Sequence, residues 1–531
     1  MLSFFQRLFP AGAPLMQVLD YPFARSDVGM LQQLAGRSPQ IDTQTCSDLL
    51  LDQYSEQLAQ HTSIFGQQEL HRRLASGQAT PDSIARIASL HADAPLAAKL
   101  EQACRGLRQA DAELAATLFG TVIPPKPWWS GWLWMIALAL MLSIAAIWLA
   151  GALALAGVLA ACVALMAMQS RYYETSKQWE SQLDTLRHLL KAHHKLARLD
   201  TPVTAPWRAD QAQARKLLRG IERSLLRYLP LVDTVVAEYG DWLLLKNVTR
   251  YFRTRQLVAR QLAFLRQVFG EVAALEADLA LARHLRSLAT FCWAQSSSPR
   301  RLELQAMVHP LLPGAAPLSI ALDGRGAFVS GQNGVGKSTL LRSVGLNLVC
   351  ARAFGFCHAA RAQVPPLLVY SSLQNDDTLT GGESLYMAEL RRARELLALA
   401  EDGTPALFLI DEIFRGTNHL ESVAAAAAVL HQLARHHLVI VSSHNLVLAP
   451  LLEDCLAPWC VQRDGQGVLQ LRPGVLAVTN GIALLAQRGF GGAIEDKAAR
   501  VFDWLSVHMA QPADCSGVLD EGGQARLISR A

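Results

Sequence analysis

The residues best able to do chemistry in this chain lie between positions 331 and 444. Gly331-Gln332-Asn333-Gly334-Val335-Gly336-Lys337-Ser338-Thr339 follows the short apolar run Ala327-Phe328-Val329 and leads into an amphipathic stretch. The order is strand, loop, helix, with the Gly-x-x-x-x-Gly-Lys-Ser spacing of a phosphate-binding loop. Glycines permit positive φ, so the loop N–H groups turn inward on phosphate oxygens. The following helix starts at the anion, where its dipole favours negative charge. Lys337 is a point charge for β- and γ-phosphates, and the Ser338 hydroxyl can ligate Mg²⁺. The ligand these residues suit is a nucleoside triphosphate with Mg²⁺.

Two further stretches complete that chemistry. Leu407-Phe408-Leu409-Ile410 is a continuous apolar run ending in Asp411-Glu412, as a buried parallel strand would. Asp411 is placed to hold the Mg²⁺ shell, and Glu412 to orient or deprotonate the attacking water. A third strand, Leu438-Val439-Ile440-Val441, ends in Ser442-Ser443-His444, which puts His444 within reach of a γ-phosphate.

These residues need a scaffold, and 531 residues are enough for several domains. Charged residues make up only 18% and mean hydropathy is +0.18, apolar for a soluble protein and suggestive of membrane content. A net charge of +4 is too mild to imply a polyanionic partner for the chain as a whole. The nine cysteines include no Cys-x-x-Cys pair, which excludes the common zinc-ligand spacings and reads as scattered thiols in a reducing compartment. Met1–Leu19 is broken by Pro10 and Pro14 and is not expected to act as a signal peptide.

Residues 44–118 read as helices, with breaks at Ser76-Gly77 and Thr80-Pro81, Pro81 suiting a first helical position. From Pro127 to Ser170 there are 44 residues without a charge. A single helix of that length would run about 66 Å, twice a bilayer core of roughly 30 Å. Two spans of about 20 residues with a turn near Gly151 are therefore expected. Trp128, Trp129, Tyr172 and Tyr173 would sit at one interface and Trp148 near the other; Lys126 and Arg171 make the flanking side cytoplasmic. Residues 171–295 are again helical. Between Arg208 and Arg266, 12 Lys/Arg face 5 Asp/Glu, an excess suited to phosphate backbone or anionic headgroups and equally to a solvated helix face. Arg250, Arg253 and Arg260 are taken to lie on that face. From Leu302 onward, apolar strands alternate with helical segments, the pattern of an α/β domain with a largely parallel sheet.

The motifs together resemble the MutS-type ATPases of the ABC superfamily. Residues 331–339 are similar to that family's Gly-Pro-Asn-Met-Gly-Gly-Lys-Ser-Thr, and Asp411-Glu412-Ile413-Phe414-Arg415-Gly416-Thr417-Asn418 to its Asp-Glu-Ile-Gly-Arg-Gly-Thr-Ser. Ser443-His444 resembles its Thr-His switch, and His309-Pro310 the dipeptide before its nucleotide domain. Asn375-Asp376-Asp377 through Gly382-Glu383-Ser384-Leu385-Tyr386-Met387-Ala388-Glu389 resembles the stretch ending Ser-Thr-Phe-Met-x-Glu. Leu471-Arg472-Pro473-Gly474 with Asn480-Gly481-Ile482 is similar to the C-terminal Leu-x-Pro-Gly…Gly-Ile segment. Upstream, Thr62-Ser63-Ile64-Phe65-Gly66 with Leu70 and Leu74 resembles a helix of the family's lever region, and residues 275–295 its last lever helix. Phe269-Gly270-Glu271 mimics the family's mismatch-reading Phe-x-Glu, but sits far from the N-terminal domain that carries it; no counterpart of that domain is seen.

The resemblance implies an α/β P-loop ATPase domain with a mostly parallel sheet over 301–531. Before it would come an all-α lever region (1–124 and 171–300) interrupted by a transmembrane hairpin at 125–170. It further implies a homodimer with shared sites, in which Thr380-Gly381-Gly382-Glu383-Ser384 of one chain completes the other's site through the Ser384 hydroxyl, and Asn418 lies in the loop at the interface. Duplex DNA, held without mismatch preference, is the partner the family suggests. The alternative is a mechanochemical ATPase acting on a membrane or protein partner without DNA. Half of an ABC transporter is a poorer fit, since two spans are too few for a transport path. The expected location is the cytoplasmic membrane, with both termini and the ATPase domain cytoplasmic.

Overall fold

The computed structural model describes residues 21–34, 40–120, 123–225, 242–373, 385–416, 418–465, 468–476 and 492–509. The chain divides into two compact units. One comprises Met1–Arg37, Glu56–Arg72 and Ala85–Arg286; the other comprises Ser38–Ser55, Arg73–Ile84 and Ser287–Ala531.

Helices fill the first half of the chain: α1 (Arg25–Leu34), α2 (Thr43–Asp48), α3 (Leu51–Leu58), α4 (Ile64–Ser76), α5 (Pro81–Ala92) and α6 (Ala94–Cys104). The break after Ser76 and the start at Pro81 fall where the sequence places them. The Thr80 hydroxyl accepts from the Ser83 N–H at 3.2 Å, capping α5. Then come α7 (Trp134–Ala145), α8 (Ile147–Ala150), α9 (Ala152–Leu196), α10 (Gln211–Leu225), α11 (Lys246–Arg260) and α12 (Leu262–Ser287).

In the helical unit, the second half of α9 is the spine of the core. Trp179, Leu183, Leu186, Leu189 and Leu190 are buried in one cluster with Val248 and Phe252 of α11 and Leu265, Phe269 and Val272 of α12. Phe269 packs edge-on to Phe65 and Phe119 at 5.3 and 5.4 Å, while Glu271 meets His193 at 3.2 Å. Phe269-Gly270-Glu271 is therefore core packing plus a hydrogen bond, not a reading element. Gly66 is required by close approach, since a Cβ there would stand 2.9 Å from Cβ of Glu276 on α12. Glu276 accepts from the Ser63 hydroxyl, and burial lifts its carboxyl to about 7 despite that bond and the N–H groups of Ser63 and Gly66.

The charge-free run turns at Gly151 (φ +48°), close to where the sequence puts the turn. It does not form two full spans. Among the described residues only α9, 45 residues long, is long and apolar enough to cross a membrane; α7 has 12 residues. The reason is local. Trp128–Gly131 is spent in a 3₁₀ turn closed by the Ser130 hydroxyl on the Pro127 carbonyl (2.6 Å), so the helix starts late, and it is broken again at Ala146. Large apolar side chains along this run face outward, among them Leu142 (61% exposed), Trp148 (96%) and Leu153 (81%).

The second unit is built on a six-stranded sheet. Its strands are β5 (Gly326–Gly331), β8 (Leu368–Ser372), β9 (Ala406–Asp411), β10 (Leu438–Ser442), β11 (Leu456–Arg463) and β12 (Leu469–Pro473). They lie in the order β12-β11-β5-β10-β9-β8. All neighbours pair parallel except β11 with β12. The central strands are apolar on both faces and buried throughout, as a sheet covered on two sides demands. Helices α13 (Lys337–Phe354), α14 (Leu385–Glu401) and α15 (His419–His436) follow β5, β8 and β9, completing the expected α/β pattern. A smaller mixed sheet joins β2 (Gln295–Ser296), β7 (Arg361–Val364), β3 (Arg301–Met307) and β4 (Leu318–Asp323); β1 (Cys292–Trp293) and β6 (Phe356–Cys357) form an antiparallel pair.

Candidate active site

Three adjacent parallel strands end at one place. The register sets Ser442 of β10 beside both Asp411 of β9 and Val329 of β5. The loop after β5 therefore opens next to the acids of β9 and the histidine after β10, outside the carboxyl ends of the strands, where open α/β sheets bind ligands. Gly334 and Gly336 have φ of +71° and +113°, the left-handed conformation the loop chemistry requires. Lys337 is the first residue of the 18-residue α13, so the loop's N–H groups and the helix terminus face the same space.

The side chains interlock. Lys337 Nζ donates to the carbonyls of Gly331 (3.1 Å) and Gln332 (3.3 Å) and lies 3.3 Å from His444 Nε2. Burial depresses its pKa, opposed by Glu412 and Asp411. The Ser338 hydroxyl donates to Asp411 Oδ2, and the Ser442 hydroxyl to Asp411 Oδ1. Glu412 Oε1 lies 2.8 Å from His444 Nε2, and the Glu412 N–H donates to the Ser442 carbonyl at 2.9 Å. Burial, then the Lys337 ammonium, holds His444 below its ordinary value against the pull of the two acids. Glu412 and Phe414 carry φ of +54° and +58°, left-handed backbone that non-glycine residues rarely adopt. Strain of this kind concentrates where geometry serves chemistry.

Hydroxyl and carboxylate oxygens at one point suit Mg²⁺, which is usually held by one or two carboxylates together with substrate phosphates. Ser338 and Asp411 are such a pair, and Lys337 with the left-handed glycines suits a polyphosphate, so the residues present fit Mg-ATP. Among the described residues no three His, Cys, Asp or Glu side chains cluster as an all-protein metal site. All eight described cysteines are free thiols.

A second ring, without roles in the sequence reading, supports the first. Arg415 reaches Glu412 Oε2 at 3.4 Å and Glu389 of α14 at 3.6 Å, and Glu389 also accepts from the Gly416 N–H at 3.2 Å. Both residues stand inside motifs quoted above, so their conjunction with Glu412 was the available signal. Asn418 is the N-cap of α15, accepting from the Glu421 N–H at 3.0 Å, a structural use of a residue assigned to the dimer interface. Ser384 and the segment 374–384, like Thr417 and Asn480-Gly481-Ile482, lie outside the described residues.

The N-terminal residues of this unit were also missed. Asp48 is fully buried; it accepts from the Ser371 hydroxyl (2.7 Å) and the Leu373 N–H (2.8 Å), while its carbonyl takes the Arg342 Nε–H (2.8 Å). Arg392 of α14 bonds Asp42 (3.1 Å) and the Ser371 carbonyl (3.1 Å). Segment 38–55 thus ties the end of β8 to α13 and α14.

Residues 327–458 match the family model described as MutS domain V. The chain is 34% identical over 170 residues to a protein named Endonuclease MutS2 from Thermus thermophilus (32% of this chain, 22% of that one). It is 27% identical over 267 residues to a DNA mismatch repair protein MutS from Thermus aquaticus (48% of this chain, 32% of that one). Against a DNA mismatch repair protein MutS of Thermus thermophilus it is 27% identical over 217 residues (39% and 26%). The chain thus spans a third or less of the length of these relatives. Residues 327–458 thus resemble domain V of the MutS family.

Proposed function

We propose that this chain is a MutS-family ATPase anchored in the cytoplasmic membrane through residues 127–170, with the ATPase unit cytoplasmic. ATP and Mg²⁺ at 331–339 close a homodimer, hydrolysis reopens it, and the helical unit transmits the change to duplex DNA gripped by its phosphates without mismatch preference. The observation that carries the ATPase reading is the meeting of Lys337, Ser338, Asp411, Glu412 and His444 at the ends of three adjacent parallel strands.

Each side chain has a distinct part. The loop N–H groups and Lys337 hold and orient the phosphates, positioning being most of what phosphoryl transfer asks of a protein. Ser338 and Asp411 hold the metal, which when bound neutralises charge on the β- and γ-phosphates. Glu412 takes the proton of the attacking water, and the neutral His444 beside it faces the γ-phosphate. Arg415, paired to Glu389, fixes the Glu412 carboxylate. The Ser384 hydroxyl completes the site of a second copy, with Asn418 near the same interface. DNA is supported by the names of the matched relatives, and the membrane by the outward-facing apolar run. The other reading, an ATPase working on a membrane or protein partner without DNA, rests on that same apolar run.

The test uses full-length protein. Carbonate washing should leave it with the membranes. After detergent extraction it should hydrolyse ATP only with Mg²⁺ and bind a labelled duplex in a salt-dependent way, matched and mismatched alike. Mixed Ser384→Ala and Lys337→Ala chains should regain activity, since each damages a different half of a shared site. Absence of hydrolysis with Mg²⁺ would overturn the ATPase assignment, metal-independent hydrolysis would overturn the roles given to Ser338 and Asp411, and a nucleotide-dependent dimer that ignores DNA at low salt would select the alternative.

A further inference from the structure

Part of the basic excess of the helical unit is gathered into one groove. Arg250, expected to reach outward, instead pairs with Glu180 at 3.0 Å and is 13% exposed. The groove, about 1300 Å³, lies between the end of α9, the exposed side of α10 and the last turn of α11. Arg198, Arg208, Arg215, Lys216, Arg219 and Arg223 line it, all exposed, and no Asp or Glu is among its described lining residues. Helical spacing accounts for the cluster. Arg215, Arg219 and Arg223 recur every four residues on α10, while Ala214, Leu217, Leu218 and Ile221 bury the opposite side. Arg208 pairs with Asp200; the other five cations have no ion pair among the described residues. Like charges held this close raise the local potential. His194 at the rim registers it, depressed by burial and then by Arg198 and Arg215.

Two kinds of polyanion could answer such a groove, and distance decides between them. The charge-free run ends at Ser170, and α9 continues unbroken to Leu196. His194 is thus 24 residues further along one helix, about 36 Å at 1.5 Å per residue. Even a helix tilted by about 40° would keep it roughly 27 Å out. Headgroups extend only about 5–8 Å beyond the hydrocarbon core, and their potential decays over a Debye length of about 8 Å. Lipids of the membrane that holds α9 therefore do not reach the end of the groove formed by His194, Arg198 and Arg208.

We propose that this groove is a binding site for the phosphodiester backbone of a nucleic acid, held at a fixed distance from the membrane by α9. The inference rests on the DNA reading above and adds the residues that make the contact. Backbone contacts of this kind position a nucleic acid without reading its sequence.

Detergent-solubilised full-length protein and a variant with Arg215→Gln, Lys216→Gln and Arg219→Gln would be titrated with a short labelled duplex. Arg253→Gln with Arg260→Gln, both exposed on α11 and outside the groove, serves as the charge control. If each of the three cations holds one phosphate, the log–log salt slope flattens by about 2.7 in the groove variant. Its affinity loss between about 50 and 200 mM salt would then be roughly 40-fold smaller than the parent's. The control should follow the parent, and all three proteins should hydrolyse ATP equally, which reports folding. If the parent binds duplex and the groove variant keeps the parental slope, the groove assignment falls and the DNA reading stands. No duplex binding by the parent at low salt, with or without ATP, overturns both. Groove-dependent binding of phosphatidylserine vesicles without duplex binding would replace the nucleic acid with a lipid surface.

Discussion

Glu412→Gln separates binding from hydrolysis most cleanly. Glutamine has the same shape, can still hydrogen-bond His444 at the 2.8 Å separation, and can adopt the φ of +54° no worse than glutamate does. Lys337, Ser338 and Asp411 keep their contacts, so the groups that hold nucleotide and metal are untouched. What is lost is a carboxylate able to take a proton from water. General-base contributions are typically about 10²–10⁴-fold, or roughly 2.7–5.4 kcal/mol at 1.36 kcal/mol per decade. The expected outcome is that turnover, followed as phosphate release under saturating Mg-ATP, falls by that factor. Affinity for a fluorescent ATP analogue should stay within a few-fold of the parent. Glu412→Gly is the companion variant, because glycine relieves left-handed strain of order 1–3 kcal/mol while also removing the carboxylate. It should be as slow as Glu412→Gln yet no less stable than the parent. A Glu412→Gln protein that turns over at the parental rate would refute the reasoning, and some other group would have to be the base.

Lys337→Ala should weaken nucleotide binding itself, by about 10- to 150-fold, since charged hydrogen bonds contribute about 1.5–3 kcal/mol, and the same analogue titration measures it. Asp48→Ala strands the Leu373 N–H and the Ser371 hydroxyl and should cost at least about 2 kcal/mol, read as a lower unfolding midpoint of the ATPase unit. Glu276→Gln tests the buried acid of the helical unit. A carboxyl raised on folding from 4.5 to about 7 stays protonated in the native state while the unfolded chain has released its proton, so stability falls as pH rises across that window and the full cost is present above pH 7. The variant should gain up to about 3 kcal/mol above pH 7, gain little below pH 4.5, and flatten the denaturation profile between.

The candidate site was legible because its geometry is local. The loop after β5, the acids ending β9 and the histidine after β10 each stand within one strand–loop step, and parallel pairing alone brings such ends together. What sequence could not show is what holds them. Asp48 meets Ser371 across 323 positions and Arg392 meets Asp42 across 350, and no periodicity or motif encodes such partners. Composition located the basic excess but not its direction. Arg250 and Arg215 are equivalent in a charge count, yet one is consumed by Glu180 and the other faces the groove. The uncharged run was read correctly as apolar on every side and wrongly as two complete spans, because local backbone chemistry at Trp128–Gly131 takes residues that hydropathy assigns to the first helix.

The outward-facing side chains of that run still require a covering, and magnitudes say how strongly. Fourteen large apolar residues from Trp132 to Met166 are exposed, several beyond 60%. Full burial of one such side chain contributes about 1.5–3 kcal/mol, so at roughly half exposure the set forgoes on the order of 15 kcal/mol in water. Net domain stabilities are only about 5–15 kcal/mol. A helix docking on one side could not recover this sum, because exposed apolar residues such as Leu153, Leu155, Leu159 and Val163 lie on more than one face of α9. An environment apolar all round does recover it, and hydrocarbon is such an environment. The same helix then changes character beyond Ser170, where most of its exposed residues are charged or polar and most of its apolar ones are buried in the core with Trp179 and Leu183. One continuous helix thereby joins a lipid-suited half to a water-suited half.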